Sequence, residues 1–214
     1  MTALVLASGG LDSSVCLALA RRNGTEVLAL GFDYDQRNRI ELERLQAIAA
    51  RLGCKTLIVP LAMGLWLDSG LVGRGRVEAS ETITNYVPAR NLIFLAIAAS
   101  IAEARGATLI YLGATAADGH HPDCTPAFLD RVRTTLAAGL DKPPELRTPL
   151  IGLSKSQVVR TAIELRVPLE LTWSCHLAGP LPCGGCAPCR LRAQTFADLG
   201  LDDPGSVSCP GVDS

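Results

Sequence analysis

The sequence predicts an α/β fold, a parallel sheet with helices on both faces, followed by a small cysteine-rich knuckle. Three observations carry this. Short apolar runs alternate with stretches of helical periodicity through the first 170 residues. A Gly–Ser loop joins the first strand to the first helix, and four cysteines crowd together near the C-terminus. Uncharged apolar runs mark strands buried on both faces, and strand–helix alternation implies right-handed crossovers and parallel pairing.

The elements follow in order. Ala3-Leu4-Val5-Leu6-Ala7 is the first strand, and an apolar helix starts with Val15-Cys16-Leu17. Residues 26–32 form a second strand, and residues 39–52 place Ile40, Leu45, Ile48, Ala49 and Leu52 at helical spacing. Residues 55–59 are a third strand, ended by Pro60. A Gly-rich passage over 62–85 reads as an active-site loop or short helices, and residues 90–105 as an almost wholly apolar, central helix. Residues 108–113 are a fourth strand, 126–139 a helix, and 147–151 a short extended piece. Ser154 caps a helix over 154–165. In such sheets ligands bind beyond the carboxyl ends of the strands. The loops after these strands, at 8–14, 33–36, beyond Pro60 and at 114–123, therefore converge on one cleft.

Between the first strand and helix stands Ser8-Gly9-Gly10-Leu11-Asp12-Ser13-Ser14. A strand emptying through glycines into a helix N-terminus gathers backbone N–H groups around one point, a ready phosphate site. The serines add donors. No lysine sits in the loop and no G-x-x-x-x-G-K-[ST] occurs, so it is not a Walker-type loop.

Composition narrows the class. The chain has 214 residues, 48% hydrophobic and 19% charged, which supports a packed core rather than disorder. A net charge of −1 offers no general attraction to nucleic acid, and no apolar run reaches transmembrane length. Met1 runs straight into a strand rather than a signal peptide, so a cytoplasmic protein is expected. Of eight cysteines, Cys16, Cys54, Cys124 and Cys209 are scattered. The other four, Cys175-x7-Cys183-x2-Cys186-x2-Cys189, offer the thiolates of a closed tetrahedral zinc site. An iron–sulfur cluster competes, since C-x2-C-x2-C opens ferredoxin-type runs, but its fourth ligand would be expected downstream. His176 is a possible substitute ligand, and Arg190 and Arg192 are placed to offset thiolate charge.

The Ser8–Ser14 loop resembles the PP-loop of the ATP pyrophosphatases, which cleave ATP between the α and β phosphates and adenylate a substrate. Together with the cysteine knuckle, the chain resembles the 7-cyano-7-deazaguanine synthases from Ala3 to about Phe196. The resemblance runs through Phe32-Asp33-Tyr34-Asp35-Gln36-Arg37, Tyr86-Val87-Pro88-Ala89-Arg90-Asn91-Leu92, Pro122-Asp123-Cys124, Leu153-Ser154-Lys155 and Thr172-Trp173-Ser174-Cys175. It implies a Rossmann-like PP-loop domain over 1–170, a zinc-binding segment over 171–198 and an irregular tail over 199–214. It further implies an ATP- and zinc-dependent homodimer that converts 7-carboxy-7-deazaguanine and ammonia to the nitrile through an amide.

Within that frame Ser8, Gly9, Gly10, Leu11, Asp12, Ser13 and Ser14 cradle pyrophosphate, with Asp12 either holding Mg²⁺ or fixing the loop. Lys155 reaches the ATP phosphates, or is a solvated helix-start lysine. Arg90, beside Asn91, faces the substrate carboxylate or phosphates, or closes a buried ion pair. Asp33, Gln36 and Arg37 read a nucleotide edge or ribose, or form a plain turn. Asp118, His121 and Asp123 face the substrate or a metal, although Asp123 would equally cap the helix at Pro126.

The chain departs from the family pattern in two places. Asp35 stands where glycine is usual. The segment 118–125 is one residue short, with His121 in place of a tyrosine and Thr125 in place of an arginine. A related ligase that stops at an amide, with ammonia or another amine, even one on a protein, is therefore the main alternative. A tRNA-thiolating PP-loop enzyme is a further one, opposed by the charge balance and the lack of an added RNA-binding domain. A non-catalytic nucleotide-binding module would have lost Asp12 or Ser13, which are present.

Overall fold

The computed structural model describes residues 2–22, 24–61, 69, 71–72, 86–177 and 179–205. The irregular passage expected over 62–85 falls almost wholly outside them, as do Cys209 and the tail from 206.

Five parallel strands form one sheet in the order β3-β2-β1-β4-β5: β1 (Thr2–Leu6), β2 (Glu26–Asp33), β3 (Lys55–Pro60), β4 (Leu109–Tyr111) and β5 (Glu145–Arg147). The central β1 aligns Leu4 with Leu28 on one side and with Ile110 on the other. Alternate residues of β1 enter opposite cores. Ala3 and Val5 pack under α1 (Leu11–Arg22), α2 (Ile40–Arg51) and α5 (Lys155–Glu164). Leu4 meets α3 (Arg90–Ala104) and α4 (Pro126–Gly139) on the other face. Leu4, Leu30, Leu95 and Ile110 are fully buried, each stabilising the fold by about 1.5–3 kcal/mol.

Strand order reverses between β1 and β4, which creates the switch-point crevice where α/β sheets bind ligands. Three details differ from expectation. The first helix starts at Leu11 rather than Val15, which puts Asp12 and Ser13 in its first turn. The edge strand is Glu145–Arg147 and not 147–151, because Pro149 lacks the N–H that would extend the ladder. A helix unsigned in the sequence, α6 (Ala187–Asp198), grows out of the cysteine knuckle and sends Phe196 into the core beneath α1 and α5.

Arg192 on α6 does not face the cysteines. It forms a buried, two-pronged pair with Asp203 at 2.7 and 2.8 Å and donates to the Leu169 and Thr172 carbonyls. That pins the 169–174 segment to α6. No described helix is long and apolar enough to cross a membrane.

Candidate active site

The Ser8–Ser14 loop is held by its own side chains. Ser13 Oγ accepts from the Ser8 N–H at 3.3 Å and donates to the Gly10 carbonyl, which also accepts from Ser14 Oγ at 2.7 Å. Ser8, Gly10, Leu11, Asp12 and Ser13 line the cleft, whereas Gly9 and Ser14 support it from behind. Gly9 has φ +80°, and a Cβ there would lie 2.3 Å from the Glu41 carbonyl oxygen of α2. Gly9→Ala is therefore expected to cost at least about 2 kcal/mol, read as a lowered melting temperature, along with weaker ATP binding by calorimetry. Gly113 gives similar clearance at the end of β4, where a Cβ would stand 3.0 Å from the Ser13 nitrogen.

The cleft encloses about 610 Å³, within the range of small-molecule sites. At its floor Lys155 Nζ lies 2.6 Å from Asp12 Oδ2. Lys155 opens α5 behind a capping box, Ser154 Oγ accepting from Gln157 N while Gln157 Oε1 accepts from Ser154 N. Burial pushes the Asp12 carboxyl up, against the pull of Lys155. Its Oδ1 is buried without a hydrogen-bond partner, a coordination position suited to Mg²⁺.

Arg90, the first residue of α3, approaches the Tyr34 hydroxyl at 3.5 Å. Burial opposes its charge, but Tyr34, Glu41 and Asp123 outweigh that and hold Arg90 firmly protonated. Glu41 was not singled out from the sequence. Burial lifts its carboxyl to about 7, against Arg90 and the donated hydrogen bonds of Gln36 and Asn38. An acid in the first turn of the helix after the second strand, at the cleft end of the sheet, was the available signal.

Several residues expected in the cleft are turned elsewhere. Asp33 pairs with Arg39. Gln36 is buried, accepting from Tyr34 N at 2.9 Å and donating to the Phe32 carbonyl, so it holds the turn together rather than reading a ligand. Arg37 lies outside the cleft lining, its backbone N–H bonded to the Leu71 carbonyl. Asp35, where the family pattern has glycine, adopts φ +64°; aspartate tolerates that left-handed region better than most side chains.

Asn91, Asp118, His121 and Asp123 do line the cleft. Asp118 caps a short turn, accepting from Thr115 N and Oγ1 at 2.8 and 2.7 Å. Asp123 Oδ2 accepts from Asn91 N at 2.8 Å, so it caps α3; the helix at Pro126 is capped by Thr125 instead. His121 stacks on Tyr86 with ring centres 6.0 Å apart and touches His120. Burial, His120 and Arg90 lower its pKa, which favours the neutral imidazole.

The Sγ atoms of Cys175, Cys183, Cys186 and Cys189 all lie within 4.8 Å of one another. Sulfurs on a tetrahedral zinc stand about 3.8 Å apart, so the set fits a closed metal site. Backbone N–H groups of Leu177 and Cys183 point at Cys175 Sγ, each at 3.4 Å, as suits a thiolate. The cluster is tied to the loop. Trp173 N donates to the Gly9 carbonyl and Trp173 Nε1 to the Cys175 carbonyl, both at 2.9 Å. Asn38 bridges that same carbonyl to Glu41.

With this geometry in view, residues 2–200 match the family model described as "Queuosine biosynthesis protein QueC". The chain belongs to the QueC family. It is 39% identical to a 7-cyano-7-deazaguanine synthase of Nostoc punctiforme over 95% of this chain and 98% of that protein. It is 42% identical to one from a Synechococcus strain, over 94% and 95%. Like these relatives, this QueC chain is an enzyme of the class that forms carbon–nitrogen bonds. The fold extends further: the structure of NMN synthetase from Francisella tularensis superposes with a TM-score of 0.54 at 15% identity, covering 97% of this chain and 79% of that one.

Proposed function

We propose that this chain adenylates the carboxylate of 7-carboxy-7-deazaguanine with ATP and aminates it with ammonia, passing through the amide to 7-cyano-7-deazaguanine. Pyrophosphate leaves at each adenylation, and AMP leaves in the step that follows it. The observation that carries this is the Asp12–Lys155 pair set in a loop of backbone donors at the sheet's switch point, beside the four-cysteine site. A carboxylate does not expel hydroxide to ammonia; adenylation makes AMP the leaving group, and a second adenylation, on the amide oxygen, lets the nitrile form.

The free loop N–H groups and the Ser8 hydroxyl receive the pyrophosphate as charge gathers on it, with Ser13 bracing the loop and Lys155 as the cation. Asp12 would hold Mg²⁺, which offsets phosphate charge when bound. Arg90 orients the substrate carboxylate, and Asn91, His121 and Tyr86 shape the wall for a planar base. The four cysteines would hold zinc as a structural ion, their shell closed to substrate. On this proposal the 1–170 unit performs the chemistry and 171–198 braces its loop. The chain acts as a cytoplasmic homodimer.

The decisive experiment incubates the protein with ATP–Mg²⁺ and 7-carboxy-7-deazaguanine, with and without ammonia, and follows products by mass spectrometry. Nitrile is the expected product, and absence of AMP would sink adenylation. Amide alone would favour the second reading, a ligase that stops there. That reading is carried by the 118–125 wall, where Thr125 serves as a helix cap and His121 packs on Tyr86.

A further inference from the structure

The amination step needs a proton acceptor, and the cleft offers few. Ammonia is present mostly as ammonium near neutral pH, which has no lone pair for attack. Among the carboxylates lining the cleft, Asp12 is paired with Lys155, and Asp118 and Asp123 each accept backbone N–H donors at 2.8 Å. Glu41 is different. Among the described residues its Oε1 and Oε2 accept only from neutral side-chain amides, Gln36 Nε2 at 3.3 Å and Asn38 Nδ2 at 3.0 Å. Among the described residues it forms no ion pair. It projects from the first turn of α2 into the cavity that also holds Tyr34, Arg90 and Trp173.

We propose that Glu41 is the catalytic base that takes the proton from the incoming amine, a role that rests on the amination reading above. One N–H proton of ammonium passes to a Glu41 carboxylate oxygen, leaving neutral ammonia and a neutral carboxylic acid. The freed lone pair forms the C–N bond at the acyl-adenylate carbon. The bond from that carbon to the AMP phosphate oxygen breaks, and AMP departs with the electron pair. The nascent C–NH₃⁺ group then loses a proton to water, and Glu41 returns its own to solvent.

The surroundings suit this. The groups facing Glu41 are Arg90 from α3, Tyr34 from the turn after β2, and Gln36 and Asn38 ahead of α2. Arg90 disfavours a second cation beside it, so an amine that gives up its proton there is not held back as an ion pair. Burial places the Glu41 carboxyl at about 7, near the optimum for a group that must both accept and release a proton at neutrality.

The test compares wild type with Glu41→Gln and Glu41→Asp in three assays. These are carboxylate-dependent ATP–pyrophosphate exchange, ammonia-dependent product formation, and product formation with hydroxylamine, a nucleophile already unprotonated near neutrality. For Glu41→Gln we expect the ammonia reaction to fall about 10²-fold, with exchange and the hydroxylamine reaction falling far less. Glu41→Asp should recover about tenfold of the lost ammonia rate. The wild-type ammonia profile should show an acidic limb near pH 7 that Glu41→Gln removes. Equal losses with both amines, or a parallel loss of exchange, would overturn the role of Glu41. Wild type without any exchange would instead remove adenylation, and this proposal with it; the exchange assay alone separates the two failures.

Discussion

Asp12→Ala is expected to lower AMP formation by about 10²–10³ while leaving a folded protein. Asp12 is the acidic residue of the first turn of α1, its Oδ2 against Lys155 and its Oδ1 buried without a partner. A fold seldom buries an unsatisfied carboxylate oxygen for stability alone. Burial raises the Asp12 pKa, so its charged form is disfavoured where it stands. Below its ordinary pKa of 3.8 the acid is neutral folded or unfolded. As pH rises past that value, the unfolded chain releases the proton first, and the folded state loses stability. Asp12→Asn removes the charge and keeps the shape, so it should match or exceed the wild-type melting temperature at neutral pH while losing activity as Asp12→Ala does. Circular dichroism, thermal melts and AMP release measure both halves. A lowered melting temperature in Asp12→Asn would make Asp12 a loop anchor instead, and unchanged turnover would remove it from the site.

The second large effect concerns the knuckle. Wild-type protein is expected to carry about one zinc per chain, and Cys186→Ser, or chelation, to release it. Losing several kcal/mol of metal-linked stability in a chain of this size should lower the melting temperature by about 10–20 °C. ATP affinity should fall as well, because Trp173 joins the Cys175 carbonyl to the Gly9 carbonyl and Arg192 pins the segment between them. Elemental analysis, melting curves and nucleotide titration form the test. Iron in place of zinc would revise the metal, and undiminished ATP binding after metal loss would uncouple knuckle from loop.

What was legible in the sequence, and what was not, has physical reasons. Strands β1, β2 and β4 announce themselves because a parallel strand covered on both faces must be largely apolar. The edge strand β3, whose residues are only partly buried, does so through its largely β-branched run Thr56-Leu57-Ile58-Val59. Ser154 was visible as a cap because its hydroxyl and Gln157 answer one another at fixed spacing. Helix α6 was hidden: it begins as Ala-Pro-Cys-Arg, and Cys189 in it and Cys186 at its N-cap belong to the metal site as much as to the helix. The 33–37 turn misled because Gln36, polar and near a binding loop, satisfies backbone groups inside that turn. Asp123 pointed to a cap, but the helix it serves is distant in sequence. Glu41 was missed because a first-turn acid on an amphipathic helix is ordinary until the cleft wall beside it is known. The proposed Mg²⁺ and substrate contacts rest on positions the sequence named and the structure gathers at one cleft, from Ser8 and Asp12 to Lys155 and His121.

The sheet order has a consequence for how the chain is made. The central strand β1 precedes the other four in sequence, yet one of its two neighbours, β4, follows only after β2, β3 and α3, and β5, at one edge, later still. Until they emerge, β1 has one open edge, and the core under α1 lacks Phe196, which α6 supplies. Such long-range parallel pairing folds slowly and exposes apolar strand edges while it waits. Chains shortened before β5 should therefore aggregate rather than yield a smaller working enzyme, and the nascent protein should engage chaperones until β5 and α6 have left the ribosome.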